Sequence, residues 1–231
     1  MYKNMSLQSN KSKESGSEKY FSSNLNFYKI FWLFMIFSII GFIIETIWCI
    51  FRYGEIQSRQ GLIYGPFSQV YGFGAIILIM LLNQVKSKNR ISIFMYSMII
   101  GSIFEYSCSF VQQMLLGSIS WHYSTTLSIF NGRTSIVYSV FWGILGYVLI
   151  QYLYPFCSKI IDKMPCRLGI RVTWIMILFM IFDFTISGAA VYRQNQRINN
   201  IPATSYMQQF LDKNYSDSYL EKIYPNMIFK S

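Results

Sequence analysis

Five apolar runs follow one another along the chain, and each is long enough to cross a membrane. They cover residues 27–51, 63–83, 91–116, 134–157 and 168–191. A helix of about 20 apolar residues spans the ~30 Å hydrocarbon core of a bilayer. Because backbone groups in lipid must bond within their own segment, all five runs are predicted to be helices. The pattern therefore predicts an all-α fold, a polytopic transmembrane helix bundle with about five spans.

Two polar segments border the transmembrane domain, which covers 27–191. Residues 1–26 are rich in Ser, Asn, Lys and Glu, which predicts a disordered tail. Residues 192–231 form a polar C-terminal tail with scattered aromatic side chains. A short amphipathic helix at the membrane interface, from Asp212 to Ile223, is one reading of this tail.

Composition supports a membrane protein. Hydrophobic residues make up 53% of the chain and charged residues 13%, whereas soluble domains carry about 25% charged residues. The net charge of +10 would also suit a nucleic-acid binder, but the 20 lysines and arginines lie mainly between the apolar runs. We therefore expect the lipid bilayer as a partner, and no nucleic acid.

The basic residues also predict an orientation. If the first run begins in the cytoplasm, twelve of the 20 lysines and arginines fall on the cytoplasmic side and eight on the other side. Cytoplasmic loops carry an excess of such residues. The chain is therefore predicted to be a multi-pass protein of the cell membrane, with a cytoplasmic N-terminus and an extracytoplasmic C-terminus.

Three of the ten acidic residues lie inside the apolar runs, namely Glu45, Glu105 and Asp183. A charge in mid-membrane costs about 3 kcal/mol, and such residues face the bundle interior or water. At ~1.5 Å per residue, all three fall ~9–16 Å below the outer surface. This common depth predicts one outward-facing polar cavity. The alternative is that each acid forms a structural hydrogen bond or ion pair between helices.

Polar residues at helical spacing accompany these acids. Ser109 and Ser187 each follow an acid by four positions, which places them on the same helix face. Tyr64 opens a polar stripe on the second run. Arg133 is predicted either to pair with Glu105 or Glu45, or to be an interfacial anchor.

Several catalytic and cofactor motifs are absent from the sequence. It contains no GxxxxGK[ST], HExxH, GxSxG or CxxC pattern and a single histidine, His122. We therefore expect no ATP-binding loop, no metal site, no cofactor and no enzyme. An enzyme acting on lipid through His122 and a carboxylate is a further alternative.

A series of short motifs resembles one known family, the putative ABC-transporter type IV, or CmpB-like, membrane proteins. In chain order the motifs are Gly41–Thr46, Gly61–Phe67, Tyr71–Gly74, Glu105-Tyr106 with Ser109, Trp121 with Tyr123-Ser124, Asn131-Gly132-Arg133 with Ser139 and Trp142-Gly143, Asp183 with Ser187, and Tyr224–Met227. The resemblance covers about 30–231 and adds Trp121 and Asn131 to the candidate pathway.

The resemblance implies a permease component, which would need a separate ATPase subunit and leaves a homo-oligomer open. The chain also departs from the family pattern at three places. His122 replaces an acid, Gln113 stands where the family has Glu, and Gln60 replaces an arginine. If those groups bind a cation or proton, this member couples the movement of that ion to transport differently.

Two functions follow from these observations. The first is a permease-like protein that moves an unknown small solute through an acid-lined cavity. The alternative is a non-transporting membrane binding or assembly protein, in which buried acid–arginine pairs are structural.

Overall fold

The computed structural model describes residues 25–83, 89–124 and 127–229, so the predicted disordered tail lies almost wholly outside it. Its helices are α1 (Phe27–Tyr53), α2 (Gln69–Leu82), α3 (Arg90–Leu116), α4 (Ile136–Asp162), α5 (Cys166–Ile198), α6 (Tyr206–Asn214) and α7 (Asp217–Ile223). Two short antiparallel ladders accompany them: β1 (Ser118–Ile119) pairs with β4 (Ile228–Phe229), and β2 (Ser128–Ile129) with β3 (Thr134–Ser135).

Four of these helices, α1, α3, α4 and α5, are long and apolar enough to cross a membrane. The shortest of the four have 27 residues, which corresponds to ~40 Å of helix. The predicted all-α membrane bundle is thus confirmed, with α2 as a shorter apolar helix beside the four spans.

The second run differs from the prediction at its start. Its helix begins at Gln69 and has 14 residues, or ~21 Å, whereas the helix was predicted from 63. Gly65 adopts a left-handed φ of 83°, and Pro66 has no N–H for a helical hydrogen bond. The N–H of Ser68 donates to the carbonyl of Ser38 at 3.0 Å. Helix α2 therefore begins beside the middle of α1, after a non-helical segment.

Small residues bring neighbouring helices into close contact. A Cβ atom at Gly101 of α3 would lie 2.4 Å from the Trp142 ring of α4, and one at Gly41 of α1 would lie 2.3 Å from Tyr71 of α2. Such close approach is how membrane helices gain packing energy, since lipid is as apolar as their side chains. The ring of Tyr71 thus packs against α1, and that of Trp142 packs against α3.

Helix α4 contains a π-helical turn over Leu149–Leu153. The N–H of Tyr154 donates to the carbonyl of Leu149 rather than to the usual i−4 partner. Pro155 follows directly and cannot donate a backbone hydrogen bond, so the wider turn lies where the regular pattern must break.

The ends of three helices meet on one side of the bundle. Lys29, near the start of α1, forms a 2.8 Å ion pair with Asp162 at the end of α4. The indole N–H of Trp32 donates to Thr173 of α5 at 2.8 Å. This is the side that the basic residues predict to be cytoplasmic.

The segment after 191 is folded onto the bundle. Helix α5 continues to Ile198, and residues 206–229, here called the C-terminal lobe, pack through Leu211 and Leu220 against Ile63 and Val191. Three ion pairs hold the lobe to α5, one of them between Arg197 and Asp217. Arg193 and Arg197 both bind Asp212, at 2.9 and 2.6 Å.

Candidate functional site

Glu105 lies at the centre of the first polar cluster. It is 5% exposed on α3, and each of its carboxylate oxygens accepts a hydrogen bond. The hydroxyl of Tyr123 donates to Oε1 at 2.6 Å, and that of Thr134 donates to Oε2 at 2.8 Å. Both donors come from the chain between α3 and α4, so Glu105 ties this connection to the membrane helix.

Glu45 on α1 lies near Glu105. The side chain of Glu45 lies within electrostatic reach of Glu105, of Tyr71 on α2 and of Arg59. We call Glu45 and Glu105 the carboxylate pair. Two acids from separate helices that interact inside a membrane bundle form an arrangement that is expensive to maintain.

Aromatic rings surround the carboxylate pair. Tyr123 stacks on Tyr138 with ring centroids 4.3 Å apart, and Tyr71 stacks on Trp142 at 6.0 Å. Arg52 donates to the hydroxyl of Tyr138 at 3.0 Å. Burial raises the pKa of the Tyr123 phenol, and the charge of Glu105 raises it further. Tyr123 therefore remains a hydrogen-bond donor at neutral pH.

Asp183 belongs to a second cluster, around the non-helical segment before α2. It is fully buried, and its Oδ1 accepts the backbone N–H of Tyr64 and the hydroxyl of Ser187, both at 3.1 Å. Ser187 Oγ also accepts the N–H of Ile63 at 2.9 Å. These bonds satisfy two backbone donors of the non-helical segment at membrane depth, as a broken helix there requires. Asp183 therefore has hydrogen-bond partners different from those of Glu105, in contrast to the predicted meeting of all three acids.

Tyr64 connects this second cluster to the C-terminal lobe. Its hydroxyl hydrogen-bonds with that of Tyr215 at 2.8 Å, and its ring stacks on Phe182 at 6.0 Å. Burial raises the pKa of Tyr215, and the hydrogen bond with Tyr64 contributes to the same shift. The Tyr215 phenol therefore stays neutral near pH 7.

Arg133 turns inward but does not pair with an acid. Within the described residues its guanidinium donates to Ser109 at 3.1 Å and to Gln113, and it lies over the rings of Tyr106 and Phe110. The expected pairing with Glu105 or Glu45 is replaced by neutral acceptors on the same helix. The acceptor Gln113 stands where the resemblance implies an acid.

The other candidates shape the loop between α3 and α4. The indole of Trp121 donates to the carbonyl of Arg133 at 3.0 Å. Asn131 is exposed and adopts a φ of 57° in the turn between β2 and β3, a conformation that asparagine tolerates well. His122 is exposed beside Gly132. Asn131 is therefore a turn residue in this structure.

Three contact residues of the site were not among the predicted set, namely Tyr71, Tyr123 and Thr134. In the sequence Tyr71 stands seven positions after Tyr64, a helical spacing that was the available signal, although Tyr64 lies before the start of α2. Tyr123 and Thr134 lie in a loop, and no periodicity in the sequence predicts that this loop contacts Glu105.

A cleft lies beside the carboxylate pair, between α1, α2 and α4, and its empty volume is about 390 Å³ including the open side. Its lining is apolar apart from the Tyr71 hydroxyl, and the acids are not among the lining residues. It differs in this from the predicted acid-lined cavity. Among the residues that the structure describes, no three His, Cys, Asp or Glu side chains come together as a metal site would require.

Comparison with known proteins agrees with this architecture. Residues 32–188 match the family described as "Putative ABC-transporter type IV". No curated protein and no solved structure matches the chain. The match covers more than half of the chain, from α1 to the Asp183–Ser187 turn of α5. The chain is thus a multi-pass membrane protein that belongs to the putative ABC-transporter type IV family.

Proposed function

We propose that the chain is a permease-like subunit that carries a small solute past the carboxylate pair. The observation that supports this most directly is that Glu105 is buried inside one membrane-spanning helix while Glu45 lies inside another. An intramembrane acid costs about 3 kcal/mol, and two that repel one another cost more, so such groups usually mark a solute or ion path.

The broken second helix supports the same proposal. Transporter sites commonly form where a membrane helix is interrupted and its backbone groups are available near the midplane. Here the interruption precedes α2, and Asp183 and Ser187 hold its backbone. Tyr71, two positions inside α2, then reaches the carboxylate pair.

The energy source and assembly are further parts of the proposal. The sequence has no phosphate-binding GxxxxGK[ST] loop, so ATP-driven transport would require a separate ATPase subunit. We also propose that the chain forms a homo-oligomer and that its N-terminus is cytoplasmic.

Transport by the purified chain is the direct test. Proteoliposomes would be loaded with labelled organic cations, amino acids, sugars and organic anions, and the efflux of each would be followed. We expect one class to cross faster than in protein-free vesicles and Glu105→Gln to reduce that rate at least tenfold. Glu55→Gln, which changes an exposed acid after α1, is the matched control. Equal rates for all three proteins and for empty vesicles would contradict the proposal.

A membrane assembly protein is the second candidate. It is favoured by the fact that both oxygens of Glu105 already have intramolecular donors. In that case a partner would bind the exposed loop around Phe130, which is 66% exposed. Cross-linking in intact membranes followed by purification would recover a stoichiometric partner, and Arg133→Ala would release it by disturbing the loop.

A further inference from the structure

We infer that Asp183 of α5 holds a proton on its Oδ2 atom, in a buried site that the C-terminal lobe covers. The site belongs to the second polar cluster, so the inference goes beyond the proposed function of the carboxylate pair. It rests on the placement of hydrogen-bond donors and acceptors around this one side chain.

The hydrogen bonds of Asp183 within the described residues are all on one oxygen. Its Oδ1 accepts the N–H of Tyr64 and the hydroxyl of Ser187, both at 3.1 Å, whereas the buried Oδ2 has no partner there. Glu105, by contrast, accepts one hydroxyl on each oxygen. A protonated carboxyl group has one hydroxyl that donates and a carbonyl oxygen that accepts. The asymmetry at Asp183 is the pattern of the protonated form.

An ionised Asp183 would also lack a counter-charge in the part of the chain that the structure describes. The ion pairs there use other acids, namely Asp162, Asp212 and Asp217. On α5 the basic residue closest in sequence is Arg193, ten positions or ~15 Å away, and it binds Asp212. Asp183 is fully buried, and a buried acid without a partner charge is usually neutralised by a proton.

The titratable side chains that the structure places around Asp183 are phenols. Tyr64 comes from the non-helical segment, and Tyr215 and Tyr224 come from the C-terminal lobe. Burial raises the pKa of Tyr215 and of Tyr224, and the charge of an ionised Asp183 would contribute to both shifts. The two phenols of the lobe are therefore neutral near pH 7, and neither supplies a positive charge.

Tyr224 provides an acceptor for the proton. The residue is 9% exposed, and its hydroxyl has no hydrogen-bond partner among the residues that the structure describes. It packs in one cluster with Ile63, whose N–H donates to Ser187, and with Ile186, which precedes Ser187 on α5. An unpaired phenol and an unpaired carboxyl oxygen therefore lie at the same interface. With a proton on Oδ2, Asp183 can donate to the Tyr224 hydroxyl oxygen.

The C-terminal lobe separates this site from water. The hydroxyl of its Tyr215 hydrogen-bonds with that of Tyr64 at 2.8 Å, and its Tyr224 packs with Ile63. Opening of a packed segment exposes the groups that it covers. Opening of the lobe is therefore expected to set the rate at which the proton of Asp183 exchanges with water.

Infrared difference spectroscopy of the purified protein tests the inference without any transport step. A protonated carboxyl group has a C=O stretching band that is separate from the carboxylate bands and that shifts in D2O. We expect the spectrum of the unsubstituted protein minus that of Asp183→Asn to contain one such band near pH 7, where an aspartate in water, with a pKa of about 3.9, is ionised. Carboxylate bands in this difference spectrum would overturn the inference.

A second variant tests the acceptor. Tyr224→Phe removes the hydroxyl to which Oδ2 would donate and is expected to shift the Asp183 band. Tyr206→Phe, at a residue of the same lobe that is 84% exposed, is the matched control and leaves the band in place. An Asp183 band at the same position in both variants would exclude Tyr224 as the acceptor.

The rate at which the band shifts after transfer to D2O tests the cover. Asp212→Asn removes the ion pairs of the lobe with Arg193 and Arg197 and is expected to speed the shift at least about tenfold. Glu55→Gln, which changes an exposed acid after α1, is the control. Equal rates in the unsubstituted protein and both variants would contradict the covering role of the lobe.

The outcomes separate this inference from the proposed function. A protonated Asp183 in a protein that moves no solute would uphold the inference and contradict the permease proposal. Carboxylate bands from Asp183 in a protein that does move a solute would have the opposite meaning.

Discussion

The backbone N–H of Tyr64 donates a 3.1 Å hydrogen bond to Asp183, although 119 positions separate the two residues. The same carboxylate oxygen accepts the hydroxyl of Ser187, which in turn accepts the N–H of Ile63. A non-helical stretch at membrane depth is tolerated only when its backbone is satisfied by protein or water. The acid of α5 therefore makes the interruption before α2 possible.

Two substitutions of Asp183 distinguish its role as a hydrogen-bond acceptor from the role of its negative charge. Asp183→Asn keeps an oxygen that can accept the Tyr64 N–H, so we expect little change in the free energy of unfolding. Asp183→Ala orphans a buried backbone donor, which costs about 1–3 kcal/mol. Reversible unfolding of the purified protein in mixed micelles would measure both values.

The matched control is Thr185→Ala, two positions away on the same helix. The Thr185 hydroxyl donates to the carbonyl of Ile181 within α5, and the residue is exposed. Its loss is expected to change stability by less than about 0.5 kcal/mol. If Asn proved as damaging as Ala, the charge of Asp183 rather than its acceptor oxygen would be what the fold requires.

Tyr123→Phe tests the donor to Glu105. The 2.6 Å hydrogen bond is lost while the ring remains to stack on Tyr138. A hydrogen bond to a charged group contributes about 1.5–3 kcal/mol, so the variant is expected to unfold more easily by about 2 kcal/mol. The control is Tyr106→Phe, because the ring contacts of Tyr106 with Phe110 and Phe130 do not involve a hydroxyl. Equal destabilisation by the two substitutions would refute the role of the Tyr123 hydroxyl.

The helices could be predicted from sequence because each long span carries its own signal. Apolar length predicted α1, α3, α4 and α5, and the glycine after α1 and after α3 adopts the left-handed conformation that ends a helix. The late start of α2 was not predicted. Gly65 and Pro66 were visible beforehand, but the acceptors that stabilise an open backbone lie more than a hundred residues away.

The part of the site that lies along α3 could be predicted from helical spacing. Glu105 and Ser109 were expected on one face of α3, and both are buried there. Helical spacing cannot show which loop residue reaches which helix residue. Arg133 was therefore expected either beside an acid or as an interfacial anchor, whereas the fold of β2 and β3 directs it to Ser109 and Gln113.

Arg133→Lys is expected to weaken the connection between α3 and the β2–β3 hairpin. The guanidinium bonds two acceptors and also covers the rings of Tyr106 and Phe110, a planar arrangement that a lysine ammonium cannot reproduce. We expect a loss of about 1–2 kcal/mol and faster hydrogen exchange over 127–135. Arg90→Lys, at the exposed start of α3, is the control, and the same exchange in both variants would contradict the bridging role.

The C-terminal lobe is expected to open in acid through Asp212. Its hydrogen bonds from Arg193, assisted by those from Arg197, lower the pKa of this carboxyl below its ordinary value. The stabilisation is therefore fully present above about pH 3.9, the value in an unfolded chain, and is lost as pH falls through the lowered pKa of the folded state.

Hydrogen exchange over 206–229, compared between proteins at the same pH, would measure this effect. Asp212→Asn leaves the buried guanidinium of Arg193, which is 3% exposed, without its counter-charge. The variant is expected to loosen the lobe by about 2 kcal/mol at pH 7. Its difference from the unsubstituted protein should shrink as pH falls below about 3.9 and vanish once Asp212 of the folded protein is protonated, because both proteins then lack the carboxylate. Asp217→Asn should have the smaller effect, since Asp217 is half-exposed and Arg197 also binds Asp212. A difference between Asp212→Asn and the unsubstituted protein that persisted unchanged into acid would mean that packing of the lobe, and not this ion pair, holds it against α5.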